Sequence, residues 1–393
     1  MRTNKYLIVG NGVAGTTAAD TIRQNDPHGE ITIITDEDIP FYYRVRLPDY
    51  LGGSVSESEL IAKKASWYAE KRISLQLKTK ITGADPGRKN LKTSDSSILS
   101  YERLLLANGS HPFIPPIEGF DMEGVYAIHT VKDIRQIFQA AQKISSVVLI
   151  GGGLLGLETA NALHRLGKKI TVVEFFPRLL PRQLDSDGAA RLQHIFENMN
   201  FSFRLGATAR KIAGTDRVEQ VVLENGELLP AEMVIISAGV RPNLELAKMI
   251  GLKTDKGVVV NKHMQTSQPD IYAAGDVIEF EGKTFGIWPA AMEQGRIAGM
   301  NISGGNMSYE GTTLSNILKV AGIDLASAGE IDAENRYESR IAASEDIYKK
   351  VVIDQGKVIG CIMLGDRTNF TRINRAISSG EDILNELDSL LNV

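Results

Sequence analysis

Tyr6-Leu7-Ile8-Val9-Gly10-Asn11-Gly12-Val13-Ala14-Gly15 and Val147-Val148-Leu149-Ile150-Gly151-Gly152-Gly153-Leu154-Leu155-Gly156 share one grammar, an apolar run followed by G-x-G-x-x-G. A lone copy of that pattern is weak, because glycine is common and only three positions are fixed. Here each copy has its flanks: an apolar run that reads as a strand precedes it, and helical sequence follows, Thr16 to Arg23 and Leu157 to Leu166. In the order strand, tight turn, helix, each glycine has its own duty. The first makes the turn, the second lets backbone approach a pyrophosphate, and the third lets helix pack on strand. The pyrophosphate rests on the amides of the helix N-terminus, where the dipole favours an anion by about 0.3–1 kcal/mol at exposed sites. Two such loops predict two bound dinucleotides, one at Gly10, Gly12, Val13, Ala14 and Gly15, the other at Gly151, Gly153, Leu154, Leu155 and Gly156.

Each loop unit runs on into a second strand closed by an acid: Ile31-Thr32-Ile33-Ile34-Thr35 then Asp36-Glu37, and Ile170-Thr171-Val172-Val173 then Glu174. A carboxylate at that point accepts hydrogen bonds from adenosine ribose hydroxyls and repels a ribose 2′-phosphate. Glu174, followed by Phe175 and Phe176 with no arginine before Arg178, therefore favours NADH over NADPH. The alternative for Glu174 is a solvated strand end.

A third motif, Asp270-Ile271-Tyr272-Ala273-Ala274-Gly275-Asp276, resembles the flavin-ribityl motif of flavoproteins with two dinucleotide-binding domains. The resemblance implies that Asp276 hydrogen-bonds the ribityl and phosphate region of FAD, which assigns FAD to the first loop and NADH to the second. Two connecting segments, Tyr101 to Ser110 and Val234 to Asn243, are similar to the same family. Its Ala-Thr-Gly reads Ala107-Asn108-Gly109 and Ser237-Ala238-Gly239 here, which keeps the glycine turn. Ala107, Gly109 and Gly275 thus join the FAD residues, and Gly239 joins the NADH residues. Trp288-Pro289-Ala290-Ala291-Met292-Glu293-Gln294-Gly295 resembles the segment that runs along the flavin ring before a helix; Trp288 is either that neighbour or a core aromatic.

Across the chain these motifs resemble the pyridine-nucleotide-dependent flavoprotein reductases. Tyr42-Tyr43-Arg44-Val45-Arg46-Leu47 is similar to NADH:rubredoxin oxidoreductases and to the flavin portion of assimilatory nitrite reductases, although Pro48-Asp49 stands where relatives often carry a lysine. The resemblance implies direct hydride transfer from nicotinamide to flavin, in which protein groups orient the cofactors. Two candidate catalytic residues follow. Glu158 lies where relatives place an acid near the nicotinamide amide, or else answers the helix dipole. Arg44, with Arg46, is a cation for flavin phosphate or ring, or else a surface residue.

Composition narrows the chemistry. The 393 residues, 43% hydrophobic and 23% charged, allow two or three globular domains, and a net charge of −4 points neither to nucleic acid nor to a lipid surface. No apolar run reaches the roughly 18 residues of a membrane span, and a strand begins within a few residues of Met1, so a cytoplasmic protein is expected. The single Cys361 excludes an intrachain disulfide and a dithiol relay, and no metal site is expected. Its place in the apolar run Val358 to Leu364 suits a buried strand filler.

The expected fold class is α/β, with two Rossmann-like dinucleotide-binding domains, the second inserted in the first, and a small C-terminal α+β domain. The boundaries are 1–112 and 241–310 for the discontinuous FAD domain, 113–240 for the NADH domain, and 311–393 for the last. Asn225-Gly226 between apolar runs signals a hairpin, as does Asp354-Gln355-Gly356 between Tyr348–Ile353 and Lys357–Leu364. Ile383, Leu384, Leu387, Leu390 and Leu391 fall on one helical face. The expected acceptor is a small one-electron carrier such as rubredoxin; the basic runs Lys63-Lys64, Lys71-Arg72, Lys78 and Lys80 are either its docking surface or ordinary solvated faces. An electron-input subunit for nitrite reductase or another reductase is the alternative, and an NADH-responsive redox sensor is a third reading.

Overall fold

The strand Ile31–Ile34 is buried along its whole length, as an apolar run inside a parallel sheet requires. In the computed structural model, which describes residues 3–313 and 315–392, it lies parallel between Thr3–Val9 and Ile73–Gln76. Thr3–Val9 pairs in turn with Ile98–Leu106, and that strand with Ile271–Ala273, all parallel. The sheet is mixed rather than wholly parallel. Ile81–Asp85, Asn90–Thr93 and Ile98–Leu106 form an antiparallel meander, because the turns that join them are too short for a crossover. The helices Val13–Asn25 and Trp288–Ile302 pack backbone on backbone: a Cβ on Gly295 would stand 2.5 Å from the Ala14 carbonyl oxygen, and one on Gly299 2.6 Å from that of Ala18. These elements form one compact unit, made of residues up to Arg44, Ser56–His111 and Val240–Thr312.

The second unit comprises Val45–Val55, Pro112–Gly239 and the chain from Thr313 on. Its centre is a parallel sheet in the order Ser202–Leu205, Lys169–Glu174, Ser146–Ile150, Met233–Ile236, Val125–Ala127. A three-stranded antiparallel sheet stands beside it, with the Asn225-Gly226 hairpin between Gln220–Leu223 and Leu228–Pro230. The segment Val45–Val55 groups here rather than with the first unit. Leu47 and Leu51 are fully buried, and Gly52 abuts Ala162 and Arg165 of the helix Leu154–Arg165.

The C-terminal residues build a five-stranded antiparallel sheet in the order Ser315–Val320, Ile323–Gly329, Lys357–Leu364, Tyr348–Asp354, Glu338–Ala343. The helix Phe370–Ser379 packs its apolar face on this sheet. Gln355 and Gly356 both have positive φ, +47° and +75°, as a two-residue type I′ hairpin turn demands. Ile383, Leu387 and Leu391 are buried in the same core, but through a 3₁₀ turn Leu384–Glu386 and a short helix Leu387–Leu390 rather than one longer helix. Cys361 is fully buried there, and burial pushes its thiol up to about 12.

This sheet belongs to the second unit through a buried polar cluster. Asp185 caps the helix Ser186–Asn198 by accepting the Gly188 amide at 3.0 Å, and also accepts from the Tyr348 hydroxyl at 2.7 Å and the Lys350 ammonium at 3.0 Å. Lys350, wholly buried, donates to the Asp332 carbonyl as well, at 3.0 Å. A buried ammonium stripped of such partners costs about 3–5 kcal/mol. No helix among the described residues is long and apolar enough to cross a membrane.

Candidate functional site

In the first unit three neighbouring strands end at one edge. The Gly10 amide donates to Ile34 (2.8 Å), that of Ala107 to Val9 (2.7 Å), and that of Ala274 to Leu106 (3.0 Å). The loops that follow therefore open into the crevice at the carboxyl ends of the strands, where such sheets bind ligands. Gly10 has φ +112°, and a Cβ there would stand 2.0 Å from the Ala107 carbonyl oxygen; one on Gly15 would stand 2.0 Å from that of Gly10. Around Gly12 nothing lies within 4 Å. Two glycines are thus demanded by the protein's own packing, and the middle one leaves open space. It fronts a helix whose N-cap is Gly12 itself, with no side chain capping the first amides. That cradle fits the pyrophosphate of a dinucleotide. The helix starts at Val13, ahead of Thr16, because the extended Gly12 is its cap.

Tyr68 sets the loop. Its buried hydroxyl donates to Asn11 Oδ1 at 2.9 Å and accepts the Phe41 amide at 3.2 Å. No local pattern marks Tyr68, since its partner lies 57 residues away.

Gly275, with φ +85°, would put a Cβ 2.9 Å from that of Ala14, so the third motif lies against the first turn of the loop helix. The Gly275 amide donates to Gln294 Oε1 at 3.0 Å, and Asp276 accepts from the Ser110 hydroxyl at 3.2 Å. Burial pushes the Asp276 carboxyl up, against the pull of Ser110 and of the Arg44 charge. Arg44 is held at 2.7 Å by Glu37, whose other oxygen accepts from the Tyr42 hydroxyl at 2.6 Å; Asp36 is exposed. The Arg44 side chain, 36% exposed, is thus ion-paired within its own unit. Trp288 stacks on Phe41 and Tyr43, with ring centroids 5.7 Å apart in both pairs. It opens the helix Trp288–Ile302, so the segment expected to precede a helix is that helix's first two turns, with Pro289 preset for the N-terminus. Gly109, at φ +63°, keeps the expected turn, and Asn108 and Asn243 exchange side-chain bonds with each other's carbonyls at 3.0 and 2.6 Å.

The second unit repeats the device. The amides of Gly151 and Ser237 donate to Val173 and Ile150, both at 2.8 Å. Gly151 has φ +113°, with a would-be Cβ 2.3 Å from the Ser237 carbonyl oxygen; one on Gly156 would stand 2.8 Å from that of Gly151, and around Gly153 nothing lies within 4 Å. Leu154 and Leu155 form the first helical turn, uncapped by any side chain, and Gly239 turns at φ +102°. Glu174 is buried rather than being a solvated strand end. It accepts the Gly152 amide and, at 2.8 Å, the Phe176 amide. Arg178 donates to the carbonyls of Leu184 (3.2 Å) and Pro181 (3.3 Å), so its guanidinium is committed to its own loop.

Glu158 lies in the second turn of its helix, beyond the reach of a dipole explanation. Its Oε1 accepts the Ala321 amide at 2.8 Å. Burial, with the nearby Asp49 charge, pushes its carboxyl up, while the Ala321 bond and Arg165 oppose the shift. Of the basic runs, Lys71 pairs with Asp20 at 2.6 Å and Lys63 lies over the Trp67 ring at 4.8 Å, while Lys64, Arg72, Lys78 and Lys80 are exposed. Among the described residues no three His, Cys, Asp or Glu gather as a metal site.

Residues 4–295 match the pyridine nucleotide-disulphide oxidoreductase family, and residues 315–381 match the rubredoxin NAD+ reductase C-terminal domain. The chain is 33% identical to an assimilatory nitrate reductase electron transfer subunit of Bacillus subtilis (strain 168), over 98% of this chain and 50% of that protein. It is also 33% identical to an NADH-rubredoxin oxidoreductase of Clostridium acetobutylicum, over 100% of both. The structure of an NAD-dependent persulfide reductase from A. fulgidus superposes with a TM-score of 0.90 at 30% identity, covering 99% of this chain and 79% of that one. The chain spans about half the length of the two Bacillus subtilis relatives it matches, 50% and 48%.

Proposed function

This chain belongs to the pyridine nucleotide-disulphide oxidoreductase family, and from that premise we propose that it is a flavoprotein reductase. It binds FAD in the first cradle and NADH in the second, and passes electrons singly to a small carrier protein of rubredoxin type. The observation that carries this reading is the duplicated glycine cradle, one copy of which lies against Gly275-Asp276. The bound FAD supplies the acceptor for a hydride from NADH and releases electrons one at a time. The chain's residues bind and orient: Asp276 and Arg44 act on FAD, Glu174 on the NADH ribose, and Glu158 beside the nicotinamide. Cys361, buried and held protonated, takes no part. The proposed domains are 1–112 with 241–310 for FAD, 113–240 for NADH and 311–393 for the C-terminal module. A single unpaired thiol accords with work in the cytoplasm.

The test is oxidation of NADH and NADPH by the purified yellow protein against a panel of carriers. NADH with an acidic rubredoxin turns over fastest, at a rate that falls several-fold as ionic strength rises past the roughly 10 Å screening length at 0.1 M. A salt-independent rate removes Lys64, Arg72, Lys78 and Lys80 as a docking surface. The 33% and 34% identity to an assimilatory nitrate reductase electron transfer subunit and a nitrite reductase supports one second reading. If the chain feeds a separate reductase, a haem or iron–sulfur partner co-purifies with it. NADH binding with negligible turnover would instead mark a redox sensor.

Nucleotide choice gives a second expectation. Glu174→Gln raises the KM for NADH and lowers that for NADPH, shifting their ratio about tenfold, the equivalent of about 1.4 kcal/mol. Equal changes in the two KM values would remove Glu174 from the ribose site.

A further inference from the structure

We propose that Asn243 is a positioning residue for FAD, because it fixes the turn Asn108–His111 in the conformation that aims the Ser110 hydroxyl at Asp276. The inference rests on the FAD reading above. Asn243 lies 135 residues from Asn108 in the chain, yet it makes four hydrogen bonds to that turn. Its Nδ2 donates to the Asn108 carbonyl at 2.6 Å, and its own carbonyl accepts from Asn108 Nδ2 at 3.0 Å. The Asn243 amide donates to the Gly109 carbonyl at 3.0 Å, and its Oδ1 accepts from His111 Nδ1 at 2.7 Å. Residues 108, 109 and 111 are thus all held by one asparagine, and Ser110 stands between them.

The buried Ser110 hydroxyl donates to Asp276 Oδ2 at 3.2 Å. That is long for an O–H···O bond, usually about 2.7–2.8 Å, so a shift of the turn by a few tenths of an ångström breaks it. The turn has little stiffness of its own. Gly109 carries it at φ +63°, with nothing within 4 Å of a would-be Cβ, and glycine has the widest backbone freedom of any residue. Rigidity is supplied by Asn243. Asn108 is also where the chain departs from the family's Ala-Thr-Gly, and its Oδ1 is buried with no hydrogen-bond partner among the described residues. Turned over, its carboxamide would set that oxygen against the Asn243 carbonyl, so the bond to Asn243 dictates its orientation. If Ser110 is released, Asp276 loses one of the two influences that oppose its burial, the Arg44 charge being the other. Its carboxylate then no longer presents a fixed acceptor to a ligand hydroxyl.

The test uses the purified full chain with Asn243→Ala, Ser110→Ala and the double. FAD affinity is read from recovered flavin fluorescence on dilution. The Asp276 carboxyl is titrated by carbon NMR, its signal identified by its loss in Asp276→Asn. Each single change weakens FAD about tenfold, the low end for a lost hydrogen bond to a charged group, and moves the Asp276 titration to higher pH. The double is no worse than Ser110→Ala on either readout, since residues that act through one another are not additive. Asn243→Asp keeps the oxygen on His111 but loses the donation to Asn108; it shifts both readouts the same way and stands in if Asn243→Ala folds poorly. A residue that merely braces the fold gives losses that multiply to about a hundredfold in the double, and leaves Asp276 titrating as in the wild type. Either result overturns the proposal. A wild-type chain that takes up no FAD sinks the flavin reading instead, while the titration still decides whether Asn243 aims Ser110.

Discussion

Gly151→Ala is expected to destabilise the second unit strongly, whereas Gly153→Ala leaves its stability almost unchanged and weakens NADH binding. At Gly151 the backbone has φ +113°, and the added methyl would stand 2.3 Å from the Ser237 carbonyl oxygen. The conformation alone costs about 1–3 kcal/mol for a non-glycine residue, and overpacking against a strand end a similar amount. Together these remove a third to a half of the roughly 5–15 kcal/mol that holds a domain. At Gly153 nothing lies within 4 Å and φ is −79°, so alanine fits the fold at a small capping cost. Its methyl occupies the open space over the helix amides. Denaturant unfolding should show a large drop in midpoint for Gly151→Ala and almost none for Gly153→Ala. In steady-state kinetics Gly153→Ala raises the KM for NADH about a hundredfold, with the bound flavin retained. A Gly153→Ala enzyme with unchanged KM would refute the second cradle.

Asp276→Ala should purify colourless. The carboxylate is half-buried beside the loop helix, keeps the Ser110 hydroxyl as a partner, and is held up in pKa by burial, so it is poised to accept from a ligand hydroxyl. A hydrogen bond to a charged group contributes about 1.5–3 kcal/mol, or roughly 10- to 150-fold in FAD affinity. The flavin-to-protein absorbance ratio after gel filtration reports the loss, and Asp276→Asn, which keeps an acceptor oxygen, should retain part of the colour. A fully yellow Asp276→Ala protein would detach the third motif from FAD.

The sequence disclosed what is local. Gly10, Gly15, Gly151 and Gly156 are required by contacts within their own strand, loop and helix units or with the next strand end, so the spacing of three glycines foretold their packing. The lone Cys361 was likewise readable, since its apolar run has one outcome inside a sheet. Contacts between distant segments left no such trace. Tyr68 reaches Asn11 across 57 residues, Glu158 reaches Ala321 across 163, and Lys350 reaches Asp185 across 165. No periodicity encodes a partner that far away. The same blindness explains why Val45–Val55 reads as part of the first segment: Leu47 and Leu51 are buried, and Gly52 abuts Ala162 and Arg165, remote in the chain. Helix starts were missed by a few residues for a smaller reason, that a glycine cap carries no side-chain signature.

The Asp185–Tyr348–Lys350 cluster sets a rule for anyone recombining these proteins. The C-terminal module is not a free cartridge, because its lysine needs an aspartate at the cap of a helix in the nucleotide domain. A chimera that transplants the module onto a host lacking that aspartate strands a buried ammonium, and one that takes the nucleotide domain alone leaves Asp185 without its tyrosine and lysine donors.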